Sequence, residues 1–264
     1  MKRPVFDPSW PDELHALYRH DMQEIWDSTI APQIWNQYHN QLELYLSLVP
    51  DSPRLDILDV GCAQGTLALL LAEAGHNVCA VDLRQGFLDY AASRYERGNI
   101  EFLQGNVLEL ELNKTFDLVF ANQIIEHLVY PMDMILCLKK MLNPEGRLVV
   151  TTPNGKYVKN ALPTFSELGN PEQWENKQFT ADGDGHFFAY RGDELVELFQ
   201  KAGLAGIELK YFETPWISGH MKLRYLHGVV GHDILKLFDR LLLKTPVVGR
   251  CLTHQLLITG VTHG

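Results

Sequence analysis

The chain has 264 residues, 46% hydrophobic and 21% charged, which is enough apolar material for a real core and excludes disorder, collagen or coiled coil as the main architecture. A net charge of −10 argues against general affinity for nucleic-acid backbones, and no apolar run approaches the roughly 18–20 residues of a membrane span. The opening MKRPVFDPSWPDE has no apolar stretch behind its basic residues, so no secretory leader is expected. Cys62, Cys79, Cys137 and Cys251 lie far apart and read as buried free thiols of a cytoplasmic protein, not as a disulfide frame or a zinc site.

In chain order, residues 1–54 carry no strand signal. Apolar residues from Ile34 to Val49 follow helical spacing, Pro32 suits the first turn, and Pro50 and Pro53 end the pattern. From Arg54 the chain alternates short apolar runs with helical segments. Strands are predicted at Asp56–Val60, Asn77–Val81, Ile100–Gln104, Phe116–Ala121 and Arg147–Thr152, and helices at Thr66–Ala74, Gln85–Arg97 and Met132–Leu142. After an irregular stretch come a helix at Arg191–Ala202, a strand at Ile207–Phe212, and a final apolar run, Cys251–Val261, read as the last strand. Alternation of this kind predicts a doubly wound α/β fold with a parallel sheet and right-handed crossovers. Residues 1–54 then form a separate N-terminal helical region, and 55–264 the main domain.

The segment DILDVGCAQGTLALLLAEAGHNVCAVD is the most informative. A strand ends at Asp59-Val60, Gly61 and Gly65 bracket a tight turn, a helix opens at Thr66, and a second strand ends in Asp82, where a carboxylate can grip ribose hydroxyls. Ala63 stands where a G-x-G-x-x-G loop has its second glycine, and Asp59 suits a cationic amino group better than a pyrophosphate. The implied ligand is a nucleoside carrying an amino acid, which disfavours an NAD-dependent oxidoreductase.

With DVGCAQG, Asp82, FLQGNV, FDLVFANQIIEHL and NPEGRLVVTTPN in order, residues 55–212 resemble the class I S-adenosylmethionine-dependent methyltransferases, in the small-molecule branch of the ubiquinone-biosynthesis O-methyltransferase. The resemblance implies a seven-stranded Rossmann-like sheet with the last strand antiparallel and an N-terminal helical lid in which Trp26, Trp35, Tyr38 and His39 are candidates. It also implies S-adenosylmethionine as cofactor and S-adenosylhomocysteine as product. Asp59, Gly61, Cys62, Ala63 and Gly65 would line the methionine portion, Asp82 the ribose and Leu83 the adenine. Asn106 and Val107 stand where the family has an adenine-binding aspartate, and Asn122 and Gln123 follow the fourth strand at the methyl-delivery end. Gln41 stands near an arginine that the ubiquinone relative uses for the cofactor carboxylate.

Methyl transfer to oxygen or nitrogen needs a base when the acceptor must lose a proton, and a histidine supplies one near neutrality. His127, beside Glu126, and His186 in GDGHFFAY are the candidates. Some relatives hold a divalent metal with a Glu-x-x-Glu-His run and a later histidine. Gln123 replaces the first glutamate here, which disfavours a metal. The plainer readings are a helix-capping role for Glu126-His127 and a packing role for His186. His220, His227 and His232 show no ligand spacing.

Residues 214–250 carry six lysines and arginines against two aspartates. Ile234, Leu237, Phe238, Leu241 and Leu242 share one helical face, with Lys236, Arg240 and Lys244 around it. Such a basic amphipathic insert fits peripheral contact with an anionic membrane, and equally burial against the domain or a homodimer partner. The expected function is methyl transfer to an oxygen of a small or lipid-linked acceptor, with nucleic acid disfavoured; a non-catalytic S-adenosylmethionine-binding protein is the rival outside enzymes.

Overall fold

A computed structural model describes residues 1–50, 52–177, 186 and 188–262. Helices α1 (Asp12–Asp21) and α2 (Pro32–Leu46), joined through a π-helical turn at Met22–Trp26, precede an alternating series. The series runs β1 (Asp56–Val60), α3 (Thr66–Glu73), β2 (Asn77–Asp82), α4 (Gln85–Ser93), β3 (Asn99–Gln104), β4 (Phe116–Asn122), α5 (Pro131–Lys140) and β5 (Leu142–Pro153). It closes with α6 (Gly192–Lys201), β6 (Ala205–Phe212), α7 (Pro215–Ser218), α8 (His232–Leu243), α9 (Pro246–Leu252) and β7 (Gln255–Val261). The seven strands lie in the order β3-β2-β1-β4-β5-β7-β6. The pairs β1–β2, β1–β4, β2–β3 and β4–β5 are parallel, and β7 runs antiparallel to both β5 and β6.

Alternation along each inner strand sends residues to opposite faces of the sheet. Leu58, Cys79, Val119 and Val150 pack with Met134, Ile135 and Leu138 of α5 and Leu195 and Phe199 of α6. On the other face Ile57, Val78, Phe120 and Val149 pack with Leu67, Ala68 and Leu71 of α3 and Leu42 and Tyr45 of α2. Because helices cover both faces, β1, β2 and β4 read as largely apolar runs, whereas the edge strands β3 and β6 alternate half-buried and exposed residues.

Three boundaries differ from expectation by four residues or more. The last strand starts at Gln255, not Cys251: Pro246 opens a helix that runs through Leu252, which leaves Cys251 exposed rather than buried. The fifth strand starts at Leu142, because Asn143–Gly146 bulge out between the pairs Phe116–Leu142 and Leu118–Arg147 instead of ending the ladder. Helix α4 stops at Ser93, four residues short of the predicted Arg97.

That early stop places Arg94 in the interior, where its side chain is fully buried. Its guanidinium lies 2.8 Å from Asp21 Oδ1, which is also fully buried, and donates to the Gln64 carbonyl and to Thr66 Oγ1 (3.0 Å). Asp21 Oδ2 accepts from Trp26 Nε1 (2.9 Å) and the Tyr90 hydroxyl (2.8 Å). One ion pair thus joins α1, α4 and the turn before α3. Arg94→Met is expected to cost about 3–5 kcal/mol in urea unfolding, because it strands a buried carboxylate. Adding Asp21→Asn should recover part of that loss, and a single-variant cost below about 1 kcal/mol would show that the pair is not what fixes this junction.

Candidate functional site

The turn after β1 takes three successive departures into the left-handed region, Gly61 (φ 66°), Ala63 (φ 47°) and Gly65 (φ 74°). A Cβ on Gly61 would meet Ile124 Cδ1 at 2.7 Å, and one on Gly65 would meet Ala91 Cβ at 2.7 Å. Both glycines are therefore demanded by the chain's own packing, not by the approach of a ligand alone. The turn is held by Cys62 N donating to Val81 O (3.0 Å) and Gly65 N to Cys62 O (2.7 Å), and it delivers Thr66 to the start of α3.

Asp82, at the end of β2, accepts from Ala63 N on one oxygen (3.0 Å) and from Arg84 N on the other (2.9 Å). It is nearly buried, as is Asp59 near the end of β1. Burial pushes the Asp59 carboxyl up to about 7, the Asp82 charge adds to the shift, and the Ala68 amide pulls the other way. Two close carboxylates at the ends of neighbouring parallel strands make a site for a cation. Cys62 beside them is a buried thiol held well above its usual range by burial and both aspartates.

Leu83 is exposed at the rim, and Gln104 Nε2 donates to its carbonyl (3.0 Å). Asn106 is half-buried and spends its side-chain oxygen on the Leu108 amide (3.1 Å), so it builds a local turn as well as offering an acceptor. Val107 is buried in the core. Asn122 Oδ1 accepts from Thr151 Oγ1 (3.1 Å). Gln123 sits at φ 55°, and its hydrogen bonds are satisfied with the amide nitrogen on Glu126 Oε1 (3.3 Å) and the oxygen accepting from Thr152 N (3.2 Å).

A short 3-10 turn at Ile125–His127 follows β4 and buries Glu126 completely. Burial pushes this carboxyl up to about 8. His186 Nε2 lies 3.8 Å from Glu126 Oε1, and the His127 and His186 rings meet edge-on with centroids 4.8 Å apart. One ligand atom from each of Glu126, His127 and His186 lies within 4.8 Å of the others, so the structure brings together three side chains that are 60 positions apart at the extremes. Two imidazoles and a carboxylate fit a first-row divalent ion better than magnesium or calcium. They serve equally as a base with its orienting partners.

Above the glycine turn, sequence reasoning named Tyr38 but missed Glu24 and Gln64. Gln64 Nε2 donates to Glu24 Oε2 (2.6 Å) and to the Tyr38 hydroxyl (3.2 Å), so the N-terminal helices touch the turn directly. Burial, with Asp21 adding to it, raises Glu24 to about 8. Trp35 and His39 stack on each other (4.2 Å), and Gln41 is half-buried on α2. Of the insert histidines, His227 is buried and bonded to Asn36 (3.0 Å), while His220 joins Tyr157 and His254 in a cluster that no spacing rule signals.

The sequence pattern described as "Methyltransferase domain" matches residues 18–209, which include the turn, both aspartates and the Glu126-His127 pair. The chain belongs to this methyltransferase family. Among curated proteins it is 37% identical over 103 residues to the ubiquinone biosynthesis O-methyltransferase of Rickettsia akari, covering 38% of this chain and 41% of that protein. The protein of the same description from Rickettsia canadensis is 36% identical over 116 residues, covering 43% and 49%. The methyltransferase thus spans less than half the length of these relatives. Its fold is shared with an S-adenosylmethionine-dependent methyltransferase from Mesorhizobium loti, at TM-score 0.56 and 16% identity over 86% of this chain and 98% of that one. Phosphoethanolamine N-methyltransferase 2 of Haemonchus contortus, in complex with S-adenosyl-L-methionine, aligns at TM-score 0.61 and 16% identity over 98% of this chain and 62% of that one.

Three buried carboxyls, Glu24, Asp59 and Glu126, have folded values near 8, 7 and 8 against roughly 4 in an unfolded chain. Each supports the folded state fully below pH ~4 and withdraws that support as pH rises through about 7–8. The melting temperature of the ligand-free methyltransferase is therefore expected to fall between pH 6 and pH 9, and Asp59→Asn should flatten part of that slope. A melting profile that rises over this interval in calorimetry would contradict the protonated state of these groups.

Proposed function

We propose that this methyltransferase moves the methyl group of S-adenosylmethionine to an oxygen of a small or lipid-linked acceptor, with His127 as the base. The observation that carries the reading is the placement of Asp59 and Asp82 around one glycine turn, which attracts a cationic nucleoside and repels the pyrophosphate of NAD. When bound, S-adenosylmethionine supplies an electrophilic methyl on a sulfonium and leaves as S-adenosylhomocysteine. Asp82 holds the ribose hydroxyls, Asp59 meets the amino group, and the Gly61–Gly65 turn fits the methionine portion.

His127 would take the proton of the acceptor hydroxyl, which would leave its oxygen free to receive the methyl group. Glu126 and His186 orient the His127 ring, and Gln123 fixes the Glu126 carboxylate from below. Glu24, Tyr38 and the helices that carry them cover the turn as a lid and exclude water, so that holding donor and acceptor together supplies up to about 7–11 kcal/mol of the acceleration. The same Glu126, His127 and His186 atoms would be the ligands if the site takes a divalent ion. The relatives named for ubiquinone biosynthesis support an oxygen acceptor, and the free cysteines support a cytoplasmic setting.

With methyl-labelled S-adenosylmethionine and fractionated extract, the native chain is expected to yield a labelled small molecule. His127→Ala should lower turnover at least a hundredfold, the scale of general-base catalysis, while S-adenosylhomocysteine affinity in calorimetry stays within about twofold. Full turnover in that variant removes the base role, and cofactor binding without any labelled product from the native chain would favour a non-catalytic binding protein.

The insert supplies the membrane contact in this reading. Ile234, Leu237, Phe238 and Leu241 of α8 are 42–54% exposed, whereas the inward side holds Leu235 and Asp239, whose Oδ1 accepts from Thr214 N (2.8 Å). Ile234, Leu237 and Leu241 of this apolar stripe therefore face out, while Phe238 is part-covered by stacking on Trp216 (4.7 Å), with Arg240 and Lys244 exposed beside them. No helix among the described residues is long and apolar enough to cross a membrane. Vesicles containing phosphatidylglycerol are expected to sediment the chain, and Leu237→Asp with Leu241→Asp to abolish this without changing the cofactor affinity. A concentration-dependent dimer of the native chain that these substitutions dissolve, with no vesicle binding, would assign the stripe to a second copy.

A further inference from the structure

The chemistry above leaves unused a cavity of about 340 Å³. It opens between the loop after β5, the turn after α7 and the approach to β7, and Tyr157, Lys159, His186, His220 and His254 are in its wall. The chain has 33 acidic residues against 23 lysines and arginines, yet no carboxylate lines this cavity among the described residues. Its polar wall instead consists of three imidazoles, a phenol, an ammonium group and side-chain amides.

The internal bonds show which atoms remain for a ligand. Nδ1 of His220 meets the Tyr157 hydroxyl at 2.8 Å; with the hydroxyl donating, the ring's own proton sits on Nε2, a donor. Nδ1 of His254 meets Gln255 Nε2 (3.3 Å) and lies 3.8 Å from Oε2 of Glu213, which is fully buried behind it. The two rings pack edge-on with centroids 4.6 Å apart, so both present their Nε2 edges as the groups not already engaged by these partners. Burial, with His254 and Lys159 nearby, draws His220 down to about 4, which leaves the exposed Lys159 as the plain charge on the wall. His186 borders this cavity and also the Glu126–His127 cluster.

We propose that this cavity binds an oxyanion carried by the methyl acceptor, either a phosphate monoester or a carboxylate, through Lys159, His220 and His254. The assignment rests on the methyltransferase reading. An anion held there anchors the acceptor one side chain away from His127, and its charge is met by Lys159 and imidazole donors in a wall that holds no carboxylate among the described residues, Glu213 and Glu126 lying behind His254 and His186.

The test uses the full chain saturated with S-adenosylhomocysteine, titrated with phenyl phosphate, benzoate and neutral phenyl β-glucoside under ligand-observed NMR. At least one of the two anions is expected to bind saturably, and the tighter of them identifies the source of the oxyanion. Lys159→Met and His220→Gln should each weaken that binding about tenfold, the loss of one charged or buried hydrogen bond, with S-adenosylhomocysteine affinity unchanged. Lys159 is exposed, so its variant does not depend on the fold surviving a core change. Equal binding of the glucoside, insensitivity to both substitutions, or no binding by either anion would overturn the proposal. Displacement of phenyl phosphate by an equal concentration of inorganic phosphate would assign the cavity to free phosphate and overturn the link to the acceptor. Failure of S-adenosylhomocysteine to bind would instead overturn the methyltransferase reading beneath it.

Discussion

The buried contact between Arg94 and Asp21 is the constraint on which the site depends. The guanidinium reaches the N-terminal region through Asp21, the glycine turn through the Gln64 carbonyl and the start of α3 through Thr66. Desolvating two charges is expensive, and such a pair adds little net stability compared with an apolar replacement of similar size. What it does supply here is register. Only one placement of the N-terminal helices satisfies the guanidinium, and that placement puts Glu24 and Tyr38 on Gln64.

The acids around the turn form a second level of organisation. Asp59 and Asp82 crowd each other, and Glu24 and Glu126 are withdrawn from water by the N-terminal region and by the short turn after β4. In the ligand-free chain Asp59, Glu24 and Glu126 hold on to protons that a cationic ligand would displace, so charge binding and proton release are coupled at the mouth of the sheet. The pattern also separates this turn from dinucleotide loops more firmly than glycine spacing does. Glycine at positions 61 and 65 is accounted for by Ile124 and Ala91, and the paired carboxylates also hold backbone amides of the turn region, yet those bonds do not require two acids to be buried side by side.

The central sheet was legible because its signals are local. Ile57-Leu58 and Val78-Cys79 alternate faces under two helical layers, and a strand buried on both sides leaves an unbroken apolar run. Asp59, Asp82 and Glu126-His127 were legible for a related reason, since each closes a strand at the ligand-binding edge. Arg94 was not, because a basic residue one position past a helix looks like any solvated end. Nor was the Tyr157–His220–His254 cluster, whose members come from three separate loops with no common period. The bulge at Asn143–Gly146 misled in the opposite way, by placing turn residues inside a continuing ladder.

The connection between β6 and β7 leaves and re-enters the sheet at paired neighbours, Phe212 opposite Gln255. Everything between them is consequently a closed excursion whose ends the sheet already holds together. Doubling the length of such an excursion costs only about 0.6 kcal/mol in chain entropy. Segments of different size or polarity could be exchanged there with the sheet ends held, so long as the anchors onto α2 through His227 and Glu213 are kept.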